Sequence, residues 1–247
     1  MPDAVGTRAK WGVIIPSTNT VVEHDFYAIK PDGITFHAGR MYLETQDLSS
    51  DDAFEALLVQ IRGSIKTAIR DVVTCEPDYL VMGMSAETFW GGKAGGVQFT
   101  KEVEEASGLQ VATGAAACEA AVAALGLKRI AVLTPYQPVG DKQVRGFFEE
   151  LGVEIVRLHG LRCPSATAIA AVGSDELRPI LRDLDGPDVD AIVQVGTNLS
   201  MLRLADEAES ELGKPVVAIN AATLWQALRD NGFNDQFTGF GTLLRDH

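Results

Sequence analysis

The chain is poor in the residues that build metal and cofactor sites. It has 3 cysteines and 4 histidines in 247 residues. Cys75, Cys118 and Cys163 are odd in number and scattered, which argues against a disulfide framework and shows no zinc spacing. His24, His37, His159 and His247 form no ligand motif. No G-x-G-x-x-G turn and no phosphate loop is present, so the expectation is that neither cofactor nor metal is needed. Long hydrophobic runs are missing too: none approaches the roughly 20 residues that span a bilayer. The first ten residues, Met-Pro-Asp-Ala-Val-Gly-Thr-Arg-Ala-Lys, lack the apolar core of a secretion signal, and the simplest reading is a cytoplasmic protein. Basic residues are the last shortage. Lys and Arg total 21 against 34 Asp and Glu, a formal charge of −13. That charge repels nucleic acid and anionic membranes, so neither is an expected partner. An anionic ligand would need a local cradle of N–H groups and hydroxyls, because the global field opposes it.

What the chain does contain is a pattern stated twice. One half carries Trp11-Gly-Val-Ile-Ile-Pro-Ser-Thr-Asn-Thr20, then Asp78-Tyr-Leu-Val-Met-Gly-Met-Ser85, then Gly108-Leu-Gln-Val-Ala-Thr-Gly114. The other carries Arg129-Ile-Ala-Val-Leu-Thr-Pro-Tyr136, then Asp190-Ala-Ile-Val-Gln-Val-Gly-Thr197, then Gly213-Lys-Pro-Val-Val-Ala-Ile-Asn220. Each is a short apolar run ending in small or hydroxyl residues. Such runs suit buried parallel strands, whose polar ends fall where α/β sheets bind ligands. The expected fold is α/β: two pseudo-symmetric lobes, each a mostly parallel sheet flanked by helices, with the site in the cleft between them. The expected division gives residues 1–115 plus about 220–247 to the N-terminal lobe and 116–219 to the C-terminal lobe.

Between the strands, helical periodicity is strongest from Ser49 to Val73. There Phe54, Leu57, Leu58, Ile61, Ile65, Ala68, Ile69 and Val72 recur on one face, with Ser49 or Ser50 as the cap. A helix is expected from about 19 to 29, and a second strand over 34–43. The stretch Trp90-Gly-Gly-Lys-Ala-Gly-Gly96 reads as a flexible loop, a lid over the site, ahead of a helix over 98–106. The last fifteen residues are expected to pack back on the first lobe.

Three clusters could carry chemistry. In Pro16-Ser17-Thr18-Asn19-Thr20, hydroxyls and an amide follow a strand and open a helix, a pattern that suits an anion cradle or a plain helix cap. Ser17 and Asn19 are the binding residues expected there, with Glu23 and His24 either orienting Asn19 or facing solvent. In Gly83-Met84-Ser85-Ala86-Glu87, Gly83 and Met84 would contact substrate, Ser85 would act on it, and Glu87 is the carboxylate placed to serve as base or simply to sit at a helix start. In Val195-Gly196-Thr197-Asn198, Gly196 and Asn198 would bind and Thr197 is the symmetry mate of Ser85. Tyr136 closes the matching strand end of the second lobe. Cys163, in the segment Leu161-Arg-Cys-Pro-Ser165, is the cysteine nearest the expected cleft. Lys93 and Arg162 could meet a second carboxylate or be ordinary surface charges.

The strand order, the Pro-Ser-Thr-Asn-Thr…Glu motif, the Thr134-Pro135-Tyr136 motif and the Gly-Met-Ser turn resemble the aspartate/glutamate racemase superfamily, from about Trp11 to Gly241. The branch they resemble is the maleate cis–trans isomerase and arylmalonate decarboxylase group. The resemblance implies two α/β lobes with a substrate carboxylate buried between them, no cofactor, and chemistry from one or two cysteines at the two strand ends. Those positions fall on Gly83 and Val195, and neither is cysteine. The implied activity is that of an isomerase, racemase or decarboxylase-type lyase on a small carboxylate or dicarboxylate, through an enediolate-like or carbanionic species. Proton transfer would fall to Glu87, Cys163, Tyr136 or water. Two alternatives stand beside it: lyase or hydrolase-like chemistry on the same scaffold, and an intracellular carboxylate-binding protein without turnover. A homo-oligomer stays open.

Overall fold

Apolar strands joined through amphipathic helices need right-handed crossovers, and the result is parallel sheets covered on both faces. The computed structural model describes residues 2–44 and 47–247. Its first half runs β1 (Ala9–Pro16), α1 (Val22–Ile29), β2 (Ile34–Met41), α2 (Asp51–Val72), β3 (Tyr79–Met82), α3 (Gly92–Ser107), β4 (Val111–Ala112) and α4 (Gly114–Leu125). The second half runs β5 (Arg129–Thr134), α5 (Pro138–Glu150), β6 (Glu154–Gly160), α6 (Ala166–Ala171), α7 (Ser174–Leu184), β7 (Ala191–Gln194), α8 (Leu202–Leu212), β8 (Val216–Ala218), α9 (Ile219–Asp230) and α10 (Thr242–Asp246).

The strands form two sheets of the same order, β2-β1-β3-β4 and β6-β5-β7-β8, with every pairing parallel. The repeat seen in the sequence is thus a repeat of topology. In each sheet the chain winds first to one side and then to the other, and the reversal falls between the two central strands. A crevice opens at the carboxyl ends there. It is bounded by the ends of β1 and β3 in one lobe and of β5 and β7 in the other.

The central strands are buried on both faces, which explains their unbroken apolar runs: Ile14, Ile15, Leu80 and Met82, and Ile130 to Leu133, have no solvent exposure. α2 buries the eight residues expected from its periodicity, and Ser50 Oγ caps it by accepting from Ala53 N at 3.2 Å. α1 starts later than the sequence pattern indicates. Asn19 Oδ1 accepts from Val21 N and Val22 N at 2.9 and 3.0 Å, so the residues before Val22 form the cap rather than the helix.

Two expectations need correction. The glycine-rich stretch is no lid, since α3 begins at Gly92. Its glycines permit close packing: a Cβ on Gly95 would lie 1.9 Å from the Trp90 carbonyl oxygen, and one on Gly96 2.8 Å from that of Thr88. The C-terminal residues, moreover, divide between the lobes. Arg8 lies 4.4 Å over the Phe233 ring and grips Asp235 with two hydrogen bonds of 2.7 and 2.6 Å. Farther on, Arg203 of α8 covers Phe240 at 4.2 Å, and Glu209 of α8 accepts from Thr242 N.

Candidate active site

The four strand ends surround one cavity of about 70 Å³. One end of it is polar: Asn19 follows β1, Ser85 follows β3, Tyr136 follows β5, and Thr197 and Asn198 follow β7. The other end is apolar, built by Leu43, Leu48, Phe54, Leu57, Ile61 and Ile169. Among the described residues, no lysine, arginine or histidine lines it.

Ser85 and Tyr136 meet across the lobes, Oγ to hydroxyl at 2.8 Å, both nearly inaccessible to solvent. One of the two protons closes this bond and the other remains to be donated to a ligand. Burial pushes the Tyr136 phenol above its ordinary range, although the Ser85 hydrogen bond works the other way. The ring is held edge-on against Phe54 at 5.3 Å. The backbone N–H groups of Met84 and Ser85 donate to no acceptor among the described residues. Buried N–H groups are rarely left without a partner, so this strand end is suited to receive an anion.

Thr197 is placed in the cavity but is chemically engaged. Its hydroxyl donates to the Gly83 carbonyl at 3.0 Å and accepts from Asn19 Nδ2 at 3.2 Å. Its single proton therefore ties the end of β7 to the end of β3. Asn198 also bridges: its Oδ1 accepts from Thr20 N at 3.0 Å and its Nδ2 donates to the Ala166 carbonyl at 2.8 Å. Asn198, Gly196 and Met84 all border the cavity, whereas Gly83 contributes only its carbonyl to Thr197.

Other residues singled out in the sequence lie elsewhere. Ser17 Oγ accepts from Leu43 N at 3.0 Å, which fastens the segment after β2 instead of lining the cavity. Glu87 points away, into a groove between α2 and α3, where Arg62 Nε donates to it at 2.5 Å. Burial raises the Glu87 pKa, and Arg62 only partly offsets this. Cys163 is buried in the loop after β6 outside the cavity lining, its N–H on the Pro135 carbonyl at 3.1 Å. Burial, and then the charge of Glu176, pushes its thiol up to about 11. Glu23 pairs with Arg40, and His24 faces solvent with Nδ1 3.1 Å from Asp25. Lys93 pairs with Glu119 at 2.8 Å, and Arg162 borders a separate surface pocket.

Comparison with known proteins places this geometry. A family model described as arylmalonate decarboxylase matches residues 11–244. The chain belongs to the arylmalonate decarboxylase family. The maleate isomerase of Pseudomonas putida is 26% identical over 248 residues, covering 94% of this chain and 96% of that protein. The arylmalonate decarboxylase of Bordetella bronchiseptica is 27% identical over 220 residues, covering 88% of each. Among solved structures, a cysteine-to-serine mutant of the Nocardia farcinica maleate cis–trans isomerase, with a covalently bound succinylcysteine intermediate, aligns with a TM-score of 0.86. It is 24% identical and covers 96% of this chain and 98% of that one. The fold is shared across this family of enzymes.

This family member differs where thiols are expected. A Cβ at Gly83 would come within 2.3 Å of Ile15 Cγ2. Val195 is fully buried, and its N–H is bonded to the Leu133 carbonyl at 2.9 Å. The next residue, Gly196, has φ +112°, and a Cβ there would lie 2.4 Å from the Pro135 ring. A thiol at Gly83 would have to displace Ile15, and at position 195 an apolar valine side chain stands in place of a thiol. Cys118 sits in the core of α4, where burial pushes its thiol up to about 12, so it is neutral at pH 7. Cys75 lies at the opposite end of β3, half-buried, its Sγ on the Val72 carbonyl at 3.1 Å.

Sequence reasoning missed the apolar wall, which arises from α2, α6 and the segment after β2 only when these converge. It also missed the buried pair Asp25 and Asn220, joined at 2.8 Å. Asp25 left a signal: with Val22, Phe26 and Ile29 it occupies the one buried face of α1.

Proposed function

We propose that this protein is a cofactor-independent, decarboxylase-type enzyme acting on a malonate-like acid that bears an apolar substituent. The observation that carries the reading is the polarity of the cavity. A single carboxylate would be received by Ser85, Tyr136 and the N–H groups of the β3 end, in a site that no cationic side chain lines among the described residues. A second carboxylate would lie against Leu43, Leu48, Phe54, Leu57, Ile61 and Ile169. An ionised carboxylate is costly in such surroundings, and neutral, apolar carbon dioxide is not. The environment therefore favours breaking the bond to that group. The electron pair of the broken C–C bond passes into the retained carboxylate, giving an enediolate held by donors already oriented toward it. The α-carbon of that species is far more basic than a phenolate, so the neutral Tyr136 hydroxyl can supply the proton, with Ser85 stabilising the phenolate until water restores it. No thiol is needed in this scheme.

Maleate isomerase activity is less well supported by the site, because a second carboxylate retained throughout turnover would have only an apolar wall to meet. A carboxylate-binding protein without turnover is the remaining alternative. The test uses the purified wild-type chain with phenylmalonate, methylmalonate, maleate and succinate, following carbon dioxide release and product by NMR, and melting temperature for binding. A ligand at 100 times its Kd stabilises by about 2.7 kcal/mol. For a chain of this size that is a rise of roughly 5–10 °C. Release of carbon dioxide from phenylmalonate is expected. Conversion of maleate to fumarate with substituted malonates untouched would overturn the reading, and binding without conversion of any of them would favour the binder.

A further inference from the structure

A second set of buried polar side chains lies behind the cavity and runs in a closed track. Asp25, on the inner face of α1, accepts at Oδ2 from Asn220 Nδ2 at 2.8 Å. The same Asn220 nitrogen, in the first turn of α9, donates to the Thr197 carbonyl at 3.0 Å. Thr197 in turn accepts from Asn19 and donates to Gly83 through its hydroxyl, as described above. Asn19 caps α1 through Oδ1, and α1 carries Asp25, so the track returns to its start. Asp25 and Asn220 are 1% and 3% exposed, which is too deep for either to serve solvation.

Such an arrangement is costly to keep unless its geometry matters. Asp25 is removed from water and, among the described residues, has two side-chain partners, Asn220 and the exposed His24. An apolar side chain of similar size would fill the space without that penalty. Asn220, by contrast, has a planar amide whose two N–H bonds point in fixed directions, one to each lobe's side of the track. A side chain bonded in this way fixes the direction of the Thr197 carbonyl, and with it the position of the β7 end against the β3 end.

We propose that Asp25 and Asn220 are positioning residues, which hold Thr197 against Gly83 and so set the width of the cleft that receives the carboxylate. The proposal rests on the carboxylate reading of the cavity, and its test separates the two. Wild type, Asn220→Ala, Asn220→Ser and Asp25→Leu are compared by amide hydrogen exchange at residues 83–86 and 196–199, and by calorimetric titration with phenylmalonate. Asn220→Ala and Asn220→Ser should speed exchange at both strand ends and weaken phenylmalonate binding by about tenfold. Asp25→Leu removes the oxygen that accepts from Asn220, and should likewise speed exchange at both strand ends and weaken phenylmalonate binding by about tenfold. Lower melting temperatures with unchanged exchange at both strand ends would show a merely structural role and overturn the proposal. If wild type fails to bind phenylmalonate, the carboxylate reading falls while the exchange measurement still decides whether the track positions the strand ends. Should Asn220→Ala not fold, Asn220→Ser, whose hydroxyl can reach only one of the two acceptors, carries the same comparison.

Discussion

Replacing Tyr136 with phenylalanine removes one oxygen and leaves the ring where it is. The edge-on contact with Phe54 at 5.3 Å does not involve that oxygen, so the packing of the cavity wall is retained. What is lost is the 2.8 Å bond to Ser85 in a buried site. Leaving a buried hydroxyl without its partner costs about 1–3 kcal/mol. For a chain of this length the melting temperature should fall by roughly 2–12 °C. The effect on turnover should be larger. Loss of one donor from a charge-stabilising site lowers kcat by about 10²–10³, or roughly 2.7–4 kcal/mol of barrier. If the phenol is also the proton source, general-acid catalysis contributes on the order of 10²–10⁴. The assay is carbon dioxide release from phenylmalonate by Tyr136→Phe, measured well below its melting temperature, with Phe54→Leu as a control that disturbs packing and spares the hydroxyl pair. Tyr136→Phe should be the slower of the two by at least about tenfold, whichever melts lower. Retention of turnover in Tyr136→Phe to within about threefold would refute the assignment of Tyr136, since that is under 1 kcal/mol of barrier.

Other outcomes follow from the same geometry. Glu87→Gln should leave turnover per folded molecule unchanged, because the carboxylate faces Arg62 and the α2/α3 groove. Its raised pKa means that ionisation is penalised in the folded state, so wild type should lose stability relative to Glu87→Gln as pH rises through the carboxylate range; denaturant melts at several pH values would show it, and the opposite slope would contradict it. Gly83→Cys should lower stability by about 1–3 kcal/mol without conferring thiol chemistry, since the new Cβ must displace Ile15; unchanged stability with new racemase activity would show that the position opens to the cavity after all. In the native protein a thiol reagent at pH 7.5 should modify Cys75 first and leave Cys118 almost untouched, as burial keeps the latter neutral; fast modification of Cys118 with loss of activity would restore a thiol to the mechanism.

Sequence alone determined the architecture. Apolar runs such as Leu80 to Met82 and Ile130 to Leu133 are strands buried on both faces, and that pattern is local and needs no knowledge of neighbours. It also determined where a site must open, because polar residues directly after parallel strands fall at the carboxyl edge of a sheet. The absence of thiols at Gly83 and Val195 was equally plain. Which polar residue at each strand end turns inward was decided by tertiary structure. Ser85 enters the cavity and Glu87, two residues on, leaves it, because a short helical turn over residues 86–89 rotates their directions apart. Ser17 and Asn19 divide in the same way between a loop fastening and the cavity. The pairings at and behind the candidate site join residues far apart in the chain: Ser85 with Tyr136 across 51 positions, Thr197 with Gly83 across 114, Asn220 with Asp25 across 195. A hydrogen bond holds only within a few tenths of an ångström. Strand periodicity locates a residue on an element, but the docking of two lobes decides whether its oxygen comes within that reach of another.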